Sequence, residues 1–178
     1  MLSGQREQRE TLGVIDIGED LVGAYLRLVQ GCDLVAFNTR TGKAQAEIDV
    51  IGVRLAHGGP SDVWFCEVST HASGLGGYKG DPVGKLKAKL ASVREHADLV
   101  FPGVTHHVEF WSPRVRPGLL PGLALLQQQD GVQLVVNEAY EARVRELVVV
   151  ARTTSAFSDH PSFRLLQILT HLTGNPMS

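Results

Sequence analysis

Apolar residues follow a helical period near the start of the chain and a strand period soon after it. From Gly18 to about Gln30, Leu21, Tyr25 and Leu28 recur at spacings of four and three residues, which predicts an amphipathic helix. Further on, short apolar runs bounded by glycine, proline and polar turns predict strands.

The complete pattern predicts five strands and five helices. The predicted strands are Asp33–Asn38, Ala46–Val53, Asp62–Thr70, Thr105–Trp111 and Val132–Val136. The predicted helices are Gly18–Gln30, Pro82–Ala97, Leu123–Gln129, Glu138–Arg152 and Pro161–Leu172. This order predicts one α/β domain with a mixed β-sheet flanked by helices, over residues 14–178, after a polar and flexible N-terminal segment at 1–13.

Composition narrows the class of protein. The chain has 178 residues, of which 43% are hydrophobic and 20% charged, as expected for a globular domain and not for a disordered chain. The net charge of −2 argues against a strongly basic nucleic-acid coat but leaves room for a local basic groove. Two cysteines, no apolar signal core and no apolar run of about twenty residues predict a cytoplasmic protein without a membrane partner.

Two of the predicted strands carry carboxylates among apolar residues. Asp49 lies in Glu47-Ile48-Asp49-Val50-Ile51, and Glu67 lies in Phe65-Cys66-Glu67-Val68. Burying such groups is costly unless they are paired or hold a metal ion. If one hairpin sets Asp49 beside Glu67, with Glu47 on the same face, the crowded oxygens would suit Mg²⁺ or Mn²⁺ better than Zn²⁺. Glu19, at the start of the first helix, can point toward the same patch.

These segments, together with Gly18-Glu19-Asp20-Leu21, resemble the PD-(D/E)XK nuclease superfamily, in particular its restriction-endonuclease-like and Holliday-junction-resolvase-like members. The resemblance covers about residues 18–111. It implies an αβββαβ core, Asp49 and Glu67 as metal ligands, and Glu19 as a supporting acid. It also implies hydrolysis of DNA phosphodiester bonds, in a setting such as restriction, defence, repair or recombination.

The chain departs from the family pattern at one position. The pattern ends Glu-x-Lys, whereas this chain reads Glu67-Val68-Ser69, with Thr70 next. Ser69 or Thr70 would therefore stand where the family lysine is usually found. The missing positive charge could come from a lysine after the third strand, and of these candidates we rank Lys85 first. The other candidates are Lys79 and Lys89.

The stretch from Lys79 to Arg94 is the one basic run of an otherwise acidic chain. The simplest interpretation of this run is a solvated helix face. If a nuclease site lies beside it, the run instead predicts a basic groove that binds the DNA backbone. The predicted DNA contacts are Tyr78, Lys79, Lys85 and Lys89.

Other interpretations remain open. Carboxylates at strand ends are often only edge residues that discourage aggregation. A chain that lacks the motif lysine could be an inactive module that binds nucleic acid or a protein, and a homodimer or a protein partner could supply targeting. The loop Gly74–Gly80 could serve a small-molecule enzyme, although its spacing fits no dinucleotide or Walker motif. A zinc site and a Ser-His-Asp hydrolase are disfavoured.

Overall fold

The fold is taken from a computed structural model, which describes residues 15–41, 47–70, 75, 80–155 and 158–172. The helices are α1 (Ile17–Leu28), α2 (Pro82–Val100), α3 (Leu120–Asp130), α4 (Glu138–Thr153) and α5 (Pro161–Leu172), and a 3-10 turn at Pro117–Leu119 leads into α3. The strands are β1 (Leu34–Arg40), β2 (Glu47–Ala56), β3 (Gly59–Val68), β4 (Thr105–Ser112) and β5 (Gln133–Val136).

The five strands form one mixed sheet in the order β1-β2-β3-β4-β5. The first three strands pair antiparallel, and β2 and β3 are joined by a tight turn in which Gly58 and Gly59 take φ values of 106° and 136°. These values are accessible to glycine at little cost. The pairs β3–β4 and β4–β5 are parallel, so each needs a crossover helix, and α2 and α3 provide them. The predicted α/β class and mixed sheet are confirmed.

Helices cover both faces of the sheet. On one face, Val22, Tyr25 and Leu26 of α1 pack against Val50, Trp64, Cys66 and Trp111, and α4 and α5 lie beyond them. On the other face, α2 packs against Val63, Phe65, Val108 and Phe110. Because alternate strand residues point to opposite faces, odd-numbered residues of β3 face α2 and even-numbered ones face α1.

Several predicted boundaries are wrong by a few residues. The third strand ends at Val68 and not at Thr70, although Ser69 N still donates to Trp111 O at 2.8 Å. Helix α2 continues past Ala97 to Val100, and α3 begins three residues earlier than predicted. The segment 1–13 and most of the loop Gly74–Gly80 lie outside the described residues. In the described part of the chain, no helix is both long and apolar enough to cross a lipid bilayer.

Candidate active site

The β2–β3 hairpin brings Asp49 and Glu67 together. Val50 pairs with Cys66 in the antiparallel register, so the next position along places Asp49 opposite Glu67. Asp49 Oδ2 accepts a hydrogen bond of 2.7 Å from Val68 N, which fixes this carboxylate across the hairpin. The two side chains are only 13% and 8% exposed, so both acids are largely withdrawn from water. Their predicted juxtaposition is therefore present.

Lys89 lies between the two carboxylates. Its Nζ is 3.1 Å from Asp49 Oδ1 and 2.5 Å from the Glu67 carboxylate. Helix α2 positions this lysine because Leu86, Leu90 and Val93 bury one face of the helix against the sheet. Lys89 sits at the margin of that face, where its ammonium group reaches the hairpin.

The local electrostatics are unusual. Burial, and then repulsion by Asp49, raises the pKa of Glu67 to about 8, against the attraction of Lys89. Burial alone would lower the pKa of Lys89, but the two carboxylates outweigh it and hold that pKa above its usual value. Without a metal ion, the site thus keeps a charged lysine, and Glu67 holds its proton more tightly than a free carboxyl group does.

Glu19 approaches the same site from the first turn of α1. Asp16 caps this helix by accepting a hydrogen bond from Gly18 N, and Glu19 Oε2 accepts one of 3.3 Å from Asp16 N. Burial and the nearby Asp49 charge both raise the pKa of Glu19. The capping box accounts for Glu19 as a helix residue, and the Asp49 charge acts on it, but among the described residues Glu19 forms no three-acid group with Asp49 and Glu67 that could hold a metal ion.

A small cavity of about 90 Å³ adjoins Glu67. Ser69, Lys85 and Lys89 line it, with Phe110 on an apolar wall. Ser69 is 4% exposed, and its hydroxyl has no hydrogen-bond partner among the described residues. Of the two residues expected near the missing lysine, Ser69 therefore faces the site.

Thr70 turns toward the start of α1 and not into this cavity. Its hydroxyl donates to Asp16 Oδ1 at 3.0 Å, and its side chain leaves no room for a Cβ at Gly18. This close approach holds the helix start against the end of β3.

The lysine ranking requires a correction. Lys89, and not Lys85, supplies the ammonium group between the carboxylates, because its position on α2 lies closer to the hairpin. Lys85 is exposed and lines the neighbouring cavity. Lys87 points elsewhere and lies 3.6 Å from Asp130 of α3. Tyr78 and Lys79, the remaining predicted DNA contacts, lie outside the described residues.

The expected crowd of three strand carboxylates is reduced to a pair. Glu47 is half-buried, but across the described ranges no group of three or more histidines, cysteines or acids is placed to hold a metal ion. Any cation here would therefore take Asp49 and Glu67 as its protein ligands and complete its shell with other oxygens.

Sequence reasoning missed two residues. Asn38 lies across from Asp49 in the β1–β2 register, without pairing, and has an unusual backbone conformation, with φ of 50°. Its sequence signal is an asparagine at the end of the predicted first strand, since asparagine is depleted in strands. Glu109 is 3% exposed on the opposite face of the sheet. It shows the same pattern as Glu67, an acid among Val108, Phe110 and Trp111, and could have been found by the same rule.

Comparison of the chain with protein-family models, curated proteins and solved structures finds no match. The geometry of the site is therefore the basis for a functional assignment.

Proposed function

We propose that the protein is a metal-dependent endonuclease that hydrolyses DNA phosphodiester bonds, as the resemblance to the PD-(D/E)XK superfamily implies. The convergence of Asp49, Glu67 and Lys89 is the observation that carries this proposal. The order α1-β1-β2-β3-α2-β4 supports it, because it agrees with the αβββαβ core expected from the resemblance.

The donor set fits Mg²⁺ or Mn²⁺. Asp49 and Glu67 offer hard oxygen ligands at one point, and Mg²⁺ is often held by only one or two carboxylates, with waters and substrate phosphate completing its octahedron. When bound, such an ion polarises the phosphoryl group and lowers the pKa of a coordinated water. Lys89 Nζ contacts both carboxylates, so it would have to move aside for an ion to bind both of them.

Lys89 has two uses in this proposal. In the metal-free protein, its ammonium group compensates the buried carboxylates. If a bound ion displaced it, its ammonium group would still lie near the carboxylates, where a positive charge would stabilise the negative charge that develops on phosphate during hydrolysis. A lysine from α2 thus takes the part of the missing motif lysine.

Lysines of helix α2 are also the proposed contacts for the DNA backbone. Lys85 and Lys89 are one helical turn apart and line the same cavity beside Glu67. Phosphate contacts of this kind give affinity without sequence preference and weaken with added salt. Tyr78 and Lys79 stay predicted contacts in the preceding loop. Restriction, defence, repair and recombination are the proposed settings.

The test is Mn²⁺- and Mg²⁺-dependent cleavage of supercoiled, linear, single-stranded and four-way-junction DNA. Asp49→Ala and Glu67→Ala should each lower cleavage by at least about 100-fold while the protein stays folded by circular dichroism. Asp62→Ala is the matched control. Asp62 lies on β3, as Glu67 does, but its carboxylate contacts His107 and Arg54. Its activity should be close to that of the wild type.

Full activity in either site variant would remove the mechanism. A wild-type protein that cuts none of these substrates with either ion would refute the enzyme proposal and favour the inactive binding module.

A further inference from the structure

A second cavity, of about 610 Å³, lies between α1, β1 and the start of α5. It shares no lining residue with the cavity beside Glu67. Its apolar wall is formed by Ile15, Ile17, Leu34, Val35, Phe37 and Pro161. Of these, Ile17 and Leu34 are 59% and 58% exposed, so a ligand seated here would cover apolar surface that now faces water. The volume falls within the range of small-molecule sites, roughly 300–1,000 Å³.

A buried pair of polar side chains, Asp20 and His160, also lines this cavity. His160 Nδ1 is 2.9 Å from Asp20 Oδ1, and Asp20 Oδ2 accepts a hydrogen bond of 2.7 Å from Ser162 N. The Asp20 and His160 side chains are only 7% and 14% exposed. Burial alone would raise the pKa of Asp20, but the bonds from His160 and Ser162 outweigh it and lower that pKa. Asp20 is therefore an ionised carboxylate that fixes the orientation of the imidazole.

The other ring nitrogen of His160 is available to a ligand. Nε2 has no hydrogen-bond partner among the residues that the structure describes. The ring stands edge-on to Phe37, with the two centroids 6.2 Å apart. A purely structural role, in which Asp20 ties α5 to α1, uses Nδ1 alone. It accounts neither for the open Nε2 nor for the cavity that the imidazole lines.

The charges of the lining favour a cation. The lining contains three carboxylates and one guanidinium, those of Asp20, Asp33, Asp159 and Arg27. The lining therefore stays net negative whether the His160 imidazole is neutral or protonated. The guanidinium is already engaged, because Arg27 Nη1 donates to the main-chain carbonyl oxygens of Cys32 and Asp33. A concave surface of one sign attracts ligands of the opposite sign.

We propose that this cavity binds a small organic cation, an ammonium group carried on an apolar or aromatic body, with His160 Nε2 accepting a hydrogen bond from the ammonium group. The Asp20 carboxylate behind the imidazole stabilises the added positive charge, and charge-assisted hydrogen bonds of this kind are stronger than neutral ones. The Phe37 ring provides a further attraction for a cation, and the apolar wall receives the body of the ligand. The inference does not depend on the proposed nuclease activity.

The probe is benzylammonium, with benzyl alcohol and benzoate as the neutral and anionic molecules of the same ring. Each is titrated into the full-length protein while the histidine ring signals are followed by NMR, and the signal lost in His160→Leu identifies His160. Benzylammonium should shift that signal saturably. It should bind about fivefold more tightly than benzyl alcohol and at least about tenfold more tightly than benzoate.

Two variants test the lining. His160→Leu removes the Nε2 acceptor and should weaken benzylammonium binding about tenfold. Asp159→Asn changes an exposed residue, so folding should be unaffected, and loss of its charge should weaken benzylammonium two- to threefold but leave benzyl alcohol unchanged. His171→Leu is the matched control, because His171 is an exposed histidine of the same helix that does not line the cavity. It should bind the probe as the wild type does.

The outcomes decide the inference whatever happens to the proposed function. Benzoate bound as tightly as benzylammonium, or a His160 signal that does not respond, overturns it. Unchanged benzylammonium affinity in both lining variants does the same, and if His160→Leu does not fold, Asp159→Asn decides alone. Asp49→Ala, which should abolish cleavage, should bind benzylammonium normally. Weaker binding in that variant would place the cation between Asp49 and Glu67 and overturn this second site.

Discussion

Glu67 and Glu109 are buried acids on neighbouring strands that face opposite sides of the sheet. In the parallel pairing of β3 and β4, Glu109 is opposite Cys66, and Glu67 is opposite Phe110. They are 7% and 3% exposed, and burial raises the pKa of both. By sequence pattern and by burial alone, the two positions are equivalent.

Their partners make them different. Glu109 Oε2 accepts a hydrogen bond of 2.7 Å from the Trp111 indole. With its amide oriented to satisfy both neighbours, Gln133 donates to Glu109 at 3.2 Å and accepts from Arg143 at 3.1 Å. Glu109 is thus enclosed by donors, whereas Glu67 faces a second carboxylate, a lysine and a cavity. A buried acid indicates chemistry when its surroundings leave room for a ligand and not merely because it is buried.

The largest predicted difference between Glu67 and Glu109 appears when each carboxylate is replaced separately by an amide. Glu67→Gln should lower Mn²⁺-dependent cleavage by at least about 100-fold, because an amide is a poor ligand for a hard cation in this pair. Glu109→Gln keeps an acceptor for the Trp111 indole and should retain activity within a few-fold of the wild type. Initial rates on supercoiled DNA, normalised to folded protein, provide the measurement. Equal losses in both variants would place Glu109 in the same functional network.

A second prediction concerns the origin of the positive charge. Lys89→Ala should reduce cleavage by about 100-fold and lower the metal-free melting temperature, because Asp49 and Glu67 then face each other without a cation. Ser69→Lys added to this variant should restore about tenfold of the activity, since residue 69 lines the cavity beside Glu67 and the shortened residue 89 makes room.

Two other lysine variants of α2 serve as controls for Lys89→Ala. Lys87→Ala removes a lysine of the same helix that contacts Asp130, and it should leave cleavage unchanged. Lys85→Ala should weaken DNA binding more than turnover. A larger loss of turnover from Lys85→Ala than from Lys89→Ala would reinstate the ranking made from sequence.

The sequence predicted what depends on local pattern. The order of the elements follows from apolar periodicity and turn residues, and the meeting of Asp49 with Glu67 follows from a hairpin whose turn is fixed by Gly58 and Gly59. The element order and the Asp49–Glu67 pair could both be predicted from the sequence, because each depends on residues close together in the chain.

The parts that sequence reasoning missed depend on packing between distant segments. Whether Lys85 or Lys89 reaches the hairpin is set by the rotation and tilt of α2 on the sheet, which the helical period leaves undetermined to about one turn. Trp111, the donor nearest to Glu109, is only two residues away, but Gln133 and Arg143 reach Glu109 from β5 and α4. A pattern of apolar residues does not encode such contacts.

The smallest expected effect is a pH dependence of stability that separates Glu67 from Glu109. In the metal-free folded protein, Glu67 keeps its proton up to a pKa of about 8, whereas in the unfolded chain it loses it near 4.5. Unfolding between these values releases a proton, so this contribution to stability is fully present below about pH 4.5 and is lost as pH rises through 8.

One proton changes the free energy of unfolding by at most about 1.4 kcal/mol per pH unit. In buffer with EDTA, Glu67→Gln should therefore flatten the fall in wild-type melting temperature between pH 6 and 8, relative to the wild-type curve. Glu109→Gln should leave most of that fall intact, because the Trp111 donor and the Arg143 charge oppose the rise of the Glu109 pKa. A Glu67→Gln curve parallel to the wild type would show that Glu67 is ionised throughout this range, as an ordinary ion pair with Lys89 requires.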